Sequence, residues 1–327
     1  MGDHSHIQWT DATWNPVTGC SKVSQGCKHC YALRDWPRLA APRTPPNVYT
    51  GRAFTDVMAH PERLDQPLRW RKPRRVFVNS MSDLFHESVP FEFIEKVFGV
   101  MANAKRHTFQ VLTKRPERMR DFTVRFSPDG DGFVTLNGER AMGGYRGPVF
   151  PDYGWPLPNV WLGVSVEDQA TADERIPLLL QTPAAVRFVS YEPALSAIDF
   201  TPFLWGKNDR VDTVCQNCPR DHDCECGYHT RRDLKLPAID WIIAGGESGP
   251  KARPCDVAWL RSTVEQCKAA GVPCFVKQLG ANVTLSTDEI ERMTGVRTLP
   301  HRWDLRDRKG GDMAEWPEDL RVRELPR

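Results

Sequence analysis

The sequence predicts an α/β fold, a partial (β/α) barrel of parallel strands carrying a cysteine-rich insertion. Three observations lead there. Short apolar runs recur along the chain with helix-periodic stretches between them, the pattern of a buried parallel sheet covered by helices. Almost every run ends in polar or charged residues, and folds of this kind place their sites at the carboxyl ends of the strands. Six runs, or seven with the N-terminal one, are enough for an open barrel in a chain of 327 residues. The whole chain, 1–327, reads as one such domain, with the insertion at 205–237 and a C-terminal extension at 280–327.

The elements follow in order. Ile7 to Trp14 alternates weakly and reads as a first strand, stopped by Asn15-Pro16. Four prolines over 37–50 predict irregular chain, and a short helix is expected from Pro61 to Leu68. Val76-Phe77-Val78 is the next strand, ending in Asn79-Ser80-Met81-Ser82-Asp83. The helix after it, about Phe91 to Ala104, has Phe91, Ile94, Val97, Phe98 and Met101 on one face. Strands at 108–112, 160–164, 186–189, 241–244 and 274–276 continue the rhythm. A Gly-rich insertion (129–147) follows the first of these. The helix opening at Asp256, a natural N-cap, has Val257, Leu260, Val264 and Cys267 on one side and stops at Gly271. Asn79, Ser80, Asp83, Lys114, Ser165, Glu167, Ser190, Glu192, Glu247 and Lys277 all fall at strand ends and are expected to converge on one mouth. Helix capping is the plain alternative for any one of them.

Composition narrows the classes. A net charge of +2 gives no global field, so binding of nucleic acid must rest on a local patch. The N-terminus is polar and no apolar run approaches membrane-spanning length. The expectation is a cytoplasmic protein with no membrane partner, whose ten cysteines are reduced and available to metals.

The stretch from Gly19 to Ala32 concentrates the chemistry. Cys20, Cys27 and Cys30 lie within eleven residues, the last two at the CxxC spacing that turns both sulfurs toward one ligand. Gly19 and Gly26 permit the tight turns that wrapping a metal needs. A structural zinc site asks for four ligands, whereas a four-iron cluster on three cysteines leaves one iron open. Iron–sulfur, zinc and reduced structural thiols all remain open on these residues alone.

This loop after the first strand, followed by a partial parallel barrel, resembles the radical S-adenosylmethionine (AdoMet) superfamily. Cys27-Lys28-His29-Cys30-Tyr31-Ala32 is similar to the end of the cluster loop in spore photoproduct lyase-like members. Ser82-Asp83-Leu84-Phe85-His86-Glu87 and Val111-Leu112-Thr113-Lys114-Arg115 resemble the second and third strand endings of that branch. Nearly the full length resembles a phage-associated family carrying the three-cysteine motif, through Asn79 to His86, Gly245 to Pro250, Lys309-Gly310-Gly311-Asp312, and Trp316-Pro317 to Arg321-Val322-Arg323. The resemblance implies a 4Fe–4S cluster on Cys20, Cys27 and Cys30, bound AdoMet, and an electron donor such as a flavodoxin or ferredoxin. It implies an AdoMet site among Ser82, Asp83, Lys114, Ser165, Glu167 and Glu192, with Ser82 and Asp83 on the amino group and Ser165 and Glu167 on the ribose. Two departures stand out. The first cysteine gap holds six residues where the superfamily has three, and Gly245-Gly246-Glu247 ends a later strand than the superfamily's Gly-Gly-Glu, so its amino-group role is not carried over.

A second group, Cys215, Cys218, Cys224 and Cys226, lies in polar chain that cannot bury a core. Four-cysteine zinc would supply one, with an auxiliary cluster or free thiols as the other readings. Cys255, Cys267 and Cys274 read as structural. Basic clusters at 69–75, at 105–106 with 114–120, and at Arg231-Arg232 suggest a rim suited to a phosphate backbone, making nucleic acid a candidate partner or substrate. The leading expectation is a radical AdoMet enzyme. Its rivals are a zinc-dependent nucleic-acid-binding or adaptor protein without catalysis, and a hydrolase using Asp83, Glu167 and Glu192 around a metal.

Overall fold

Seven parallel strands pair with one another in chain order: β1 (Ala12–Trp14), β2 (Arg75–Val78), β3 (Thr108–Thr113), β4 (Val160–Val166), β5 (Val186–Tyr191), β6 (Trp241–Gly245) and β7 (Cys274–Gln278). The computed structural model describes residues 5, 7–124, 155–204 and 238–326, with the backbone of four short strands at 128–129, 133–134, 208–210 and 233–235. Cys215, Cys218, Cys224 and Cys226 lie outside the described residues, as do Arg231 and Arg232.

Alternation along each strand sorts the side chains into two layers. Val76 and Val78, Phe109 and Val111, Leu162 and Val164, Val189 and Tyr191, Ile242 and Ala244, and Cys274 and Val276 join the large core beneath the helices. Phe77, Phe188, Trp241, Ile243 and Phe275 face the other way and form a second, aromatic cluster with Trp9. That cluster reports the curl of the sheet. Phe77 on β2 and Trp241 on β6 are four strands apart, about 19 Å if the sheet were flat. Yet the Trp9 ring sits 4.9 Å from Phe77 and 6.3 Å from Trp241. The sheet is therefore bent into a half-barrel, and Trp9 plugs its concave side. This is why β1 is shorter than the alternation from Ile7 predicts: the chain leaves the sheet at Asp11 so that Trp9 can fill the interior.

Helices α1 (Tyr31–Ala40), α2 (Phe91–Asn103), α3 (Pro116–Thr123), α4 (Gln169–Leu180) and α5 (Val257–Ala270) connect the strands or lead back to them. In α2 the buried face is Phe93, Ile94, Val97, Phe98 and Met101, with Phe91 at its margin. Asp168 caps α4 through a reciprocal box with Thr171, and Asp256 caps α5, which Gly271 ends at φ 67°. The helix expected at 61–68 is instead a 3₁₀ turn at Pro61–Arg63 followed by one helical turn at Gln66–Arg69. Helix α1 is the larger difference, since it runs through Pro37 where irregular chain was expected. No described helix is long and apolar enough to cross a membrane.

The C-terminal extension has a structural task. After α6 (Thr287–Thr294) the chain turns back and lays residues 322–324 against β7, Val276 donating to Val322 O at 2.8 Å and Glu324 to Cys274 O at 2.9 Å. An otherwise open sheet edge is thereby covered.

Candidate functional site

The cysteine loop lies across the mouth of the half-barrel, at the carboxyl ends of the strands. Gly19 begins it at φ 89°, where a Cβ would come 2.5 Å from the backbone oxygen of Asp56, so only glycine fits. From there side chains of several strand ends hold the loop down. Ser82, after β2, donates to Gly19 O at 2.6 Å. Ser21 Oγ lies 2.8 Å from His86 Nε2 and receives Arg115 Nη2 at 2.9 Å. Ser24 donates to Glu167 at the end of β4, at 2.9 Å. Past β6, Glu247 Oε2 lies 2.9 Å from His29 Nδ1, while Arg253 binds Glu247 and reaches Gln25 O at 2.9 Å. Tyr31, opening α1, donates its hydroxyl to Ser80 O.

Glu167 is the centre of this clamp. It is 0% exposed, with Lys114 Nζ at 2.6 Å and Arg175 Nη1 at 3.1 Å. Burial alone would raise its pKa, but the two cations outweigh it and hold the carboxyl below the usual range. A Cβ on Gly26 would come 2.1 Å from its Oε1, so loop backbone and carboxylate are in direct contact. Glu247 behaves likewise: burial opposes ionisation, yet Arg253 and His29 lower its pKa to about 2.

The three thiols are half-buried and unpaired with one another. Cys20 and Cys30 pack beside Ala32, Trp36, Tyr49 and Phe54. Burial, reinforced by Asp83 and opposed by Arg115, pushes the Cys20 thiol up to about 12. Among the described residues no three His, Cys, Asp or Glu side chains gather closely enough for one metal ion.

Several residues expected to bind AdoMet are committed to the protein itself. Ser82 spends its hydroxyl on the loop. Asp83 accepts from Thr113 Oγ1, Phe85 N, Lys114 N and Arg115 Nη1, leaving no oxygen for an amino group. Lys114 and Glu167 are paired, and Glu167 has no surface on which to meet a ribose. Ser165 is buried at the end of β4. Glu192 pairs at 3.0 Å with Lys277 of β7, and both retain some exposure.

The family model described as protein of unknown function (DUF5131) matches residues 4–305. The chain belongs to that family. No curated protein and no solved structure matches it.

The basic rim expected of this DUF5131 chain does not form. Residues 69–74 precede β2 and Arg75 opens it, so they lie at the amino ends of the strands, whereas 114–120 follow β3 at the carboxyl ends. Arg106, expected with the second group, joins the first by donating to Trp70 O at 2.9 Å. Most of these charges are also engaged: Arg75 with Asp11, Arg69 with Asp65, Arg74 over Trp70 and Arg118 over Phe91. The clamp residues Ser24 and Arg253 had no signal of their own in the sequence, and Arg115, which stood in the basic 114–120 cluster, gave no sign of its bonds to the loop. Glu247 stood among the strand-end residues, but its bond to the loop was not foreseeable.

Proposed function

We propose that this protein is a radical AdoMet iron–sulfur enzyme, with Cys20, Cys27 and Cys30 holding a four-iron cluster. One observation carries the reading: a loop with three free thiols is pinned over the mouth of a parallel half-barrel by side chains from several strand ends. The donor set fits it, because three thiolates leave one iron of such a cluster open, whereas a structural zinc asks for four ligands. When bound and reduced by a low-potential one-electron carrier such as a flavodoxin or ferredoxin, the cluster supplies the electron that splits AdoMet into methionine and a deoxyadenosyl radical, which takes a hydrogen atom from the substrate.

The chain's own part is binding and exclusion of water. With Ser82, Asp83 and Glu167 occupied, we assign the zwitterionic end of AdoMet to the Glu192–Lys277 pair, its ammonium exchanging onto Glu192 and its carboxylate onto Lys277. Ser165, buried at the end of β4, is the residue we assign to a ribose hydroxyl. The aromatic plug of Trp9, Phe77, Phe188, Trp241 and Phe275 closes the barrel below. Nucleic acid as substrate would have to be met by the carboxyl-end residues, since the 69–75 cluster is on the far side.

Anaerobic, reconstituted protein given AdoMet and dithionite is expected to release 5′-deoxyadenosine and methionine in equal amounts, and Cys27→Ala to abolish both. Lys277→Met should raise the AdoMet concentration for half-maximal cleavage about tenfold, the worth of one charge-assisted hydrogen bond. Cluster-loaded protein that releases no deoxyadenosine above background would overturn the proposal.

A further inference from the structure

Arg115, directly after β3, is 6% exposed and uses every nitrogen of its guanidinium. Nε donates to Glu87 at 2.8 Å, and Nη2 to Ser21 O at 3.3 Å and Ser21 Oγ at 2.9 Å. Nη1 lies between two acceptors, Asp83 Oδ2 at 3.3 Å and Cys20 Sγ at 3.9 Å. Asp83 is itself held by the hydroxyl of Thr113 and the amide of Lys114. The fork is therefore held on several sides, and one of its N–H groups approaches a sulfur. Among the described residues no side-chain donor meets the sulfur of Cys27 or Cys30. The bonds to Ser21 anchor the loop, and the approach to Cys20 comes in addition to them.

We propose that Arg115 sets the reduction potential of the cluster by donating to the Cys20 sulfur, an inference that rests on the iron–sulfur reading above. An added electron increases the negative charge on the cluster sulfurs. A buried cation hydrogen-bonded to one of them stabilises the reduced form and raises the potential. Cys20 thereby differs electronically from the other two ligands. Arg115 is a positioning residue with an electrostatic effect and does not touch the reacting atoms. Lysine keeps the charge but cannot span Asp83, Ser21 and Cys20 at once.

The test is a redox titration followed by electron paramagnetic resonance on anaerobic wild-type protein, Arg115→Gln and Arg115→Lys, with iron and sulfide measured in each. At a fixed solution potential the ratio of reduced to oxidised cluster should fall about tenfold in Arg115→Gln, which is about 59 mV for a one-electron couple. Arg115→Lys should show a smaller fall in the same direction. Intact clusters with one common midpoint would overturn the inference while leaving the cluster itself established. If both variants lose the cluster, Arg115 is only an anchor and the inference is equally overturned. Wild-type protein without iron would instead overturn the reading beneath it.

Discussion

Replacing Glu167 by alanine is expected to destabilise the protein by about 3–5 kcal/mol, the usual cost of removing one partner from a buried ion pair. Two cations depend on that carboxylate. Arg175 is 3% exposed, Lys114 is 19% exposed, and among the described residues neither pairs with a second carboxylate. Water cannot solvate either as fully as it would in the unfolded chain. The same change removes the acceptor of Ser24, so the cysteine loop loses its hold on β4. Urea denaturation should therefore show a large fall in midpoint, accompanied by faster alkylation of Cys27 in the native protein. Ser24→Ala should speed that alkylation with little loss of stability, because it removes one hydrogen bond and strands no charge. A Glu167→Ala protein within about 1 kcal/mol of wild type would mean the buried triad is not held as described.

Trp241→Ala should be comparably severe, about 3–5 kcal/mol, but should act at the opposite end of the barrel. The indole is fully buried and is met by the rings of Trp9, Trp161, Phe188 and Phe275. It also donates to Glu324 O at 2.9 Å, tying the C-terminal extension to β6. Its loss opens a cavity in the aromatic plug and frees that strap. Trp241→Phe should recover most of the packing and leave the cost of one hydrogen bond. Calorimetry would measure both variants, and equal loss in the two would place the main contribution in the bond to Glu324 rather than in the plug.

The strands were legible because each is a short apolar run, and several polar residues at their ends do meet the cysteine loop or the helix after it, Ser80 through Tyr31, Glu167 through Ser24 and Glu247 through His29. What each of those residues does there was not legible. Asp83 and Glu167 look alike in sequence to ligand-binding carboxylates, but the structure surrounds them with the chain's own donors. The clamp joins residues 143 positions apart at Ser24 and Glu167, and 218 apart at His29 and Glu247. Pairings of that range leave no periodic trace in a single sequence. The basic rim failed for a geometric reason: residues before one strand and residues after its parallel neighbour are close in sequence terms yet sit at opposite ends of the sheet. Helix α1 was hidden by Pro37, which the helix tolerates near its carboxyl end with one hydrogen bond forgone.

The measurement that bears most directly on the central claim is metal analysis of anaerobically purified protein, wild type beside a variant with Cys20, Cys27 and Cys30 all changed to alanine. Wild-type protein should be brown, with iron and acid-labile sulfide in equal amounts, and the triple variant should lose both while remaining folded. Any zinc bound elsewhere in the chain would be retained in each. Colourless wild-type protein whose zinc content falls by one atom per chain in the triple variant would contradict the account and identify the loop as a zinc site.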